Sequence, residues 1–159
     1  MVEIIKMKNI LVNQEPETWQ DAIRNVGNLL VNSGSISVQY IDAMISAVDN
    51  LGPYIVIGKH LAIAHAAPGV YVNENDLSVS ILSKPVNFGS ENDPVSVLFA
   101  LSSVDGKSHL NELVQLAQVL GEDDQIINRL GSCHTAEEVY RIINGDNNSM
   151  ELLSHRKEN

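Results

Sequence analysis

The stretch Gly58-Lys-His-Leu-Ala-Ile-Ala-His65-Ala-Ala-Pro68-Gly69 is a short apolar strand closed by an imidazole, followed at once by small residues and a Pro-Gly turn. The layout predicts a strand over Leu61 to His65, with His65 on its rim and little bulk around it. Just before it, Tyr54-Ile-Val-Ile57 has the content of a second strand. Further on, Leu77-Ser-Val-Ser-Ile-Leu82 alternates apolar and polar residues, the pattern of a strand with one wet face. Val95-Ser-Val-Leu-Phe-Ala-Leu101 is more continuously apolar and reads as a central strand covered on both sides. Residues Ile4 to Val12 add a β-branched strand or pair of strand fragments at the start of the chain.

Helices bracket this block. Pro16 and Glu17 open one in which Trp19, Ile23, Val26 and Leu30 recur at helical spacing, and Asn32-Ser-Gly34 stops it. A second runs from about Val38 to Asn50, with Val38, Ile41, Ile45 and Val48 on one face, and Gly52-Pro53 ends it. The last third is helical. Leu110, Leu113, Val114, Ala117 and Leu120 form a stripe, with Gly121 as the stop. Glu122 to Leu130 makes a short acidic-headed helix. Thr135-Ala-Glu-Glu138 is a capping box ahead of Val139, Ile142 and Ile143, with Gly145 closing the helix. Residues Asp146 to Asn159 form a polar tail. The expected architecture is an α/β three-layer sandwich, a central mixed parallel and antiparallel sheet between helical layers, in one domain spanning residues 1–159.

Composition narrows the function classes. The chain has 159 residues, enough to bury a real core. Aromatic residues make up only 4%, so the core is built from Ile, Leu, Val and Ala. Ten Lys and Arg stand against 20 Asp and Glu, a formal net charge of -10 with no basic cluster. That balance argues against nucleic acid or an anionic membrane surface and favours a basic protein partner. The one cysteine, Cys133, forms no internal disulfide, which fits a reducing, cytoplasmic setting. Residues Val2 to Val12 carry Glu3, Lys6 and Lys8 and lack the apolar core of a signal peptide, and no stretch is long enough to span a bilayer.

The chemistry rests on histidine. Of the five, His155 lies in the polar tail and His134 precedes a helix cap, a structural position. His65 has two readings: a strand cap bonded to the backbone, or a nitrogen nucleophile that takes and releases a group near neutral pH. His109 follows Val104-Asp-Gly-Lys-Ser108, directly after the central strand, and begins a helix whose N–H groups favour an anion. Loops at strand ends of an open α/β sheet collect ligands. His65 and His109, 44 positions apart, are therefore expected on one rim, where a pair of rings could hold a phosphoryl group. Zinc is a rival use, but neither H-x-x-x-H on a helix nor C-x-x-C occurs. No G-x-S-x-G elbow singles out a serine nucleophile, and no P-loop or dinucleotide fingerprint occurs. Any phosphoryl group then comes from another protein, and no cofactor or metal is expected.

Five stretches, in order, resemble the Enzyme IIA components of the bacterial sugar phosphotransferase system, mannitol/fructose type. Ile63-Ala-His65-Ala is similar to the phosphorylation-site motif. Ala43-Met-Ile45 looks like the preceding helix, and Gly52-Pro-Tyr-Ile-Val-Ile57 like the strand leading in. Lys84-Pro-Val-Asn-Phe-Gly89 with Asn92-Asp-Pro-Val95 resembles the hairpin and central strand, and Ser108-His109-Leu110, with Leu113 and Leu116-Ala117 behind, the helix of the second active-site histidine. The likeness runs from about Pro16 to Ile143, and the pairing of Gly-Pro-Tyr-Ile-Val-Ile with Lys-Pro-Val-Asn-Phe-Gly is most similar to the ascorbate-type branch.

The resemblance implies that His65 accepts a phosphoryl group from the phosphocarrier HPr and passes it to a cysteine of Enzyme IIB, which feeds sugar uptake through the membrane component Enzyme IIC. His109 is then the partner that steadies the phosphoryl oxygens. An alternative within the same fold is a phosphorylation-dependent regulatory binding module; a third is a domain whose histidines merely pack. There are two departures from the family pattern. Ala47 stands where mannitol-type members carry an Arg, which removes a bidentate phosphate clamp, with Lys59 as a candidate substitute charge. Ala64 stands where a proline commonly precedes the active histidine. These departures bear on sugar subtype and phosphoryl stability, and oligomeric state is left open.

Overall fold

A computed structural model describes residues 3–121 and 125–145. Five strands form one sheet in the order β1-β4-β5-β3-β2. They are β1 (Ile10–Gln14), β2 (Val56–Gly58), β3 (Leu61–Ala64), β4 (Asp76–Val86) and β5 (Val95–Ser102). The sheet is mixed: β1 runs parallel to β4 and β3 parallel to β5, whereas β4 and β5, and β2 and β3, are antiparallel. β5 is central, as its apolar run predicts.

Strand alternation divides the core into two. Leu98 and Ala100 of β5, with Ala62 and Ala64 of β3, pack against α1 (Trp19–Asn32) and α2 (Val38–Leu51). Val97, Phe99 and Leu101, with Leu61 and Ile63, pack on the opposite side against α3 (Gly106–Gly121), α4 (Ile126–Gly131) and α5 (Ala136–Asn144). Helices thus cover both faces, the three-layer α/β sandwich that the order of elements implies.

Local sequence explains most boundaries. Thr18 caps α1 by accepting the Asp21 N–H at 3.1 Å, so that helix begins at Trp19 rather than at Pro16. Inside α1, Gly27 lets α2 approach: a Cβ there would lie 2.8 Å from Ile41 Cγ1. At α5 the capping box forms as predicted, with Thr135 and Glu138 reciprocally bonded.

Other expectations change. β2 starts two residues late, because Tyr54 and Val56 N–H groups bond back to Gly52 and Pro53 carbonyls in a turn. The first strand begins only at Ile10, after a 3₁₀ turn over Met7–Asn9 whose Asn9 amide is buried on Asp76 and the Leu77 carbonyl. β4 has no wet face over Leu77–Leu82: Ser78 and Ser80 are fully buried under α1, and Ser78 Oγ donates to the Val26 carbonyl. In α3 the stripe is rotated. Leu116 and Leu120 are buried, while Leu110 and Val114 are 63% and 48% exposed. α4 begins at Ile126; residues 122–124 and the predicted polar tail, His155 included, lie outside the described residues.

Candidate functional site

His65 is the first residue beyond β3. Carrying the strand's alternation one step past Ala64 turns it to the face of Leu61 and Ile63, the face that α3 covers. Its Nδ1 lies 2.8 Å from the Ile63 carbonyl. A carbonyl oxygen only accepts, so Nδ1 carries a proton, and in the neutral ring the lone pair is on Nε2. The backbone bond expected of a mere strand cap is therefore present, and it is also the bond that leaves the outer nitrogen nucleophilic.

His109 arrives from the neighbouring strand. β3 and β5 are parallel, with Ala64 level with Ala100, so both chains leave the sheet at the same edge. β5 continues through Ser103 and Asp105 into α3, and His109 sits in that helix's first turn with its backbone N–H on the Asp105 carbonyl. The two imidazoles meet with ring centroids 5.3 Å apart. Burial, and secondarily the nearby His65, hold the His109 pKa below the ordinary histidine value, so the ring is neutral at pH 7. Its Nδ1 is buried and has no hydrogen-bond partner among the described residues.

The N–H groups at the start of α3 are partly spoken for. The Asp105 carboxylate accepts the Ser108 N–H at 2.6 Å, which holds its own pKa below the usual carboxylate range. The helix end thus already faces a negative charge, and the anion site expected there reduces to the His109 ring itself.

Two tyrosines that the sequence reading passed over build the rim. Tyr40, fully buried in α2, accepts the Ala66 N–H at 3.0 Å and donates to the Leu101 carbonyl at 2.8 Å. It ties the chain after His65 to the end of β5, and burial pushes its pKa up to about 12. A second tie is the Gly69 N–H on the Ser103 carbonyl at 2.9 Å; Gly69 takes φ +91°, and a Cβ there would press on the Val104 carbonyl at 3.3 Å. Tyr54 donates its hydroxyl to the His65 carbonyl at 2.9 Å and sets its ring edge-on to the imidazole, centroids 5.3 Å apart. Hairpin arithmetic was the available signal. Val56 pairs with Ala62, and the Ile63 N–H bonds the Ile55 carbonyl, so Tyr54 comes level with the end of β3.

Other candidates lie elsewhere. Lys59 and His60 form the β2–β3 turn at the opposite end of β3, roughly 17–20 Å of extended chain from His65. Lys59 therefore does not replace the missing Arg. His60 is held by the Pro94 carbonyl, 2.7 Å from Nδ1, and does not join His65 around a metal. His134 touches Asn13, at 3.2 Å, and offers its backbone N–H to Glu138, a structural role at the α5 cap. Among the described residues no group of three or more His, Cys, Asp or Glu side chains is placed to hold a metal ion, and no helix is long and apolar enough to cross a membrane.

Comparison with known proteins places the chain and its fold. The family described as "Phosphoenolpyruvate-dependent sugar phosphotransferase system, EIIA 2" matches residues 3–146. The ascorbate-specific PTS system EIIA component of Shigella boydii serotype 4 is 35% identical over 141 residues, covering 88% of this chain and 92% of the relative. The solution structure of the mannitol-specific cryptic phosphotransferase enzyme IIA from Escherichia coli superposes with a TM-score of 0.81 at 25% identity, over 90% of this chain and 99% of that one. A complex of the mannitol enzyme IIA with phosphorylated enzyme IIB, also from Escherichia coli, shares the fold at a TM-score of 0.77 and 22% identity, over 87% of this chain and 96% of that one. The chain belongs to the EIIA 2 family of the phosphoenolpyruvate-dependent sugar phosphotransferase system.

Proposed function

We propose that the protein is a cytoplasmic phosphocarrier in which His65 Nε2 takes a phosphoryl group from phosphorylated HPr and gives it to a cysteine of Enzyme IIB. The observation that carries this reading is the pairing of two rings 5.3 Å apart, one with Nδ1 tied to a carbonyl and the other neutral with an unpartnered buried nitrogen. In the first step the Nε2 lone pair attacks phosphorus, the new N–P bond forms, and the donor's P–N bond breaks with its electron pair returning to the donor ring. No proton needs to move, because His65 keeps its Nδ1–H throughout. In the second step a cysteine thiolate of Enzyme IIB attacks phosphorus, and the electron pair returns to Nε2. In-line transfer of this kind needs alignment and charge compensation more than covalent help. His109 supplies an N–H to a phosphoryl oxygen. With Ala47 in place of an Arg, that contact carries more of the load than a bidentate clamp would leave to it.

The cargo we infer is ascorbate, reached through Enzyme IIC, since the relatives bearing that name are about a third identical along most of both chains. The deciding experiment incubates the chain with Enzyme I, HPr and phosphoenolpyruvate. One acid-labile phosphate per chain is expected, and none in His65→Ala; normal labelling of that variant would reject the assignment. His109→Ala should still be labelled but transfer to Enzyme IIB about 10²-fold more slowly, the usual cost of removing one donor from a charge-stabilising site. An unchanged rate removes His109 from the mechanism.

A further inference from the structure

We propose that Tyr54 is a positioning residue for the phosphoryl acceptor, acting on His65 through both its hydroxyl and its ring; the proposal rests on the phosphocarrier reading above. His65 lies outside β3, so no ladder bond to β5 holds its backbone. Ala64 precedes it and Ala66 and Ala67 follow, so neighbouring side chains give it little lateral support. The Nδ1–H bond to the Ile63 carbonyl fixes the tautomer, but it survives only while the main chain at 65 keeps its place and the imidazole keeps its plane.

Tyr54 supplies both. Its Oη donates to the His65 carbonyl at 2.9 Å, across an interval of eleven residues, and anchors the main chain where the ladder stops. Its ring stands at 85° to the imidazole, the edge-to-face geometry that resists rotation of either ring. The tyrosine is itself well placed: Gly52 and Pro53 turn the chain ahead of it, and the Val56 N–H closes that turn on the Pro53 carbonyl. Burial raises its pKa, so the hydroxyl stays protonated as a donor at any working pH. Tyr54 touches the acceptor residue from the side of β2, whereas His109 approaches it from α3. Tyr54 orients the nucleophile; His109 meets the group that arrives.

The test uses the full chain and two variants, Y54F and Y54A, with two readouts. The first is the rate of phosphoryl uptake from phosphorylated HPr. The second is the ¹⁵N spectrum of the His65 ring in the unphosphorylated protein, which reports which nitrogen is protonated. Wild type should show a protonated Nδ1. Y54A should show a mixture of tautomers and take up phosphate ten- to a hundredfold more slowly, since a small misplacement of a nucleophile costs about that much. Y54F keeps the ring and should fall between the two. A residue that merely stabilises the fold would lower Tm in Y54A and leave tautomer and rate alone, and that result overturns the proposal. Should Y54A fail to fold, Y54F decides: a rate within twofold of wild type with the same tautomer overturns it. If wild type takes up no phosphate, the phosphocarrier reading fails, whereas the ring spectrum still reports on Tyr54.

Discussion

Glu112 lies one helical turn beyond His109 on the same side of α3 and lines a 210 Å³ cavity with Glu3, Lys6 and Asp76. Burial, then the charges of Asp76 and Asp105, push its pKa up to about 7. The Asp76 carboxylate accepts hydrogen bonds from the Asn9 amide, the Ser35 hydroxyl and the Leu77 N–H. A glutamate whose folded pKa exceeds its unfolded value contributes full stability below about pH 4.5 and loses it as pH rises through 7. His109 runs the other way: its folded pKa is depressed, so stability is present above pH 6.5 and falls as acid protonates it. Comparing E112Q with wild type isolates the first effect. The variant should melt higher than wild type at pH 8 and alongside it at pH 4, in thermal scans of both proteins. Equal Tm values at pH 8 would show that the carboxylate ionises freely.

At the scale of elements, α3 is where sequence and structure part. Leu110, Leu113, Val114, Ala117 and Leu120 satisfy helical spacing, and so do His109, Leu113, Leu116 and Leu120. The two sets share Leu113 and Leu120, and their mean directions differ by about 65° around the helix at 100° per residue. Periodicity alone favours the more apolar set. The sheet selects the other, because its α3-side core already presents Phe99 and Leu101, which Leu116 and Leu120 join. The consequence is functional, since only that rotation turns His109 inward. Leu116→Ala should cost about 2–5 kcal/mol, and Leu110→Ala should lie within about 0.5 kcal/mol of wild type, in denaturant titrations. Similar costs at the two positions would put the stripe back where periodicity has it. Elements with their own punctuation were legible: α1 and α2 stop at Gly34 and Gly52, both at positive φ, and α5 carries a complete capping box. β4 was half legible. Its serines alternate correctly, yet Ser78 spends its hydroxyl on a helix carbonyl instead of water, a choice that depends on α1 lying above it.

For the whole molecule, the decisive feature is the parallel pairing of β3 with β5. Two strands that run the same way end on the same edge, so a histidine after each meets the other. The net charge of -10 acts at this scale too. Its field favours a basic surface on any partner and is screened within about 10 Å at 0.1 M salt. If the protein is the phosphocarrier proposed above, phosphoryl uptake from HPr at limiting concentration should slow by roughly tenfold between about 0.05 and 0.5 M salt, read from the second-order rate. A rate indifferent to salt would mean that the acidic surface lies away from the docking face.

The α/β class, the stops of α1 and α2, the capping box of α5 and the covered strand β5 could be read from the residues alone, because each rests on local steric and hydrogen-bonding preferences. Which way α3 faces, and that Tyr40 and Tyr54 hold the rim together, came from the folded chain. Those depend on strand direction and on contacts between residues eleven to sixty-one positions apart, which no local window of sequence contains.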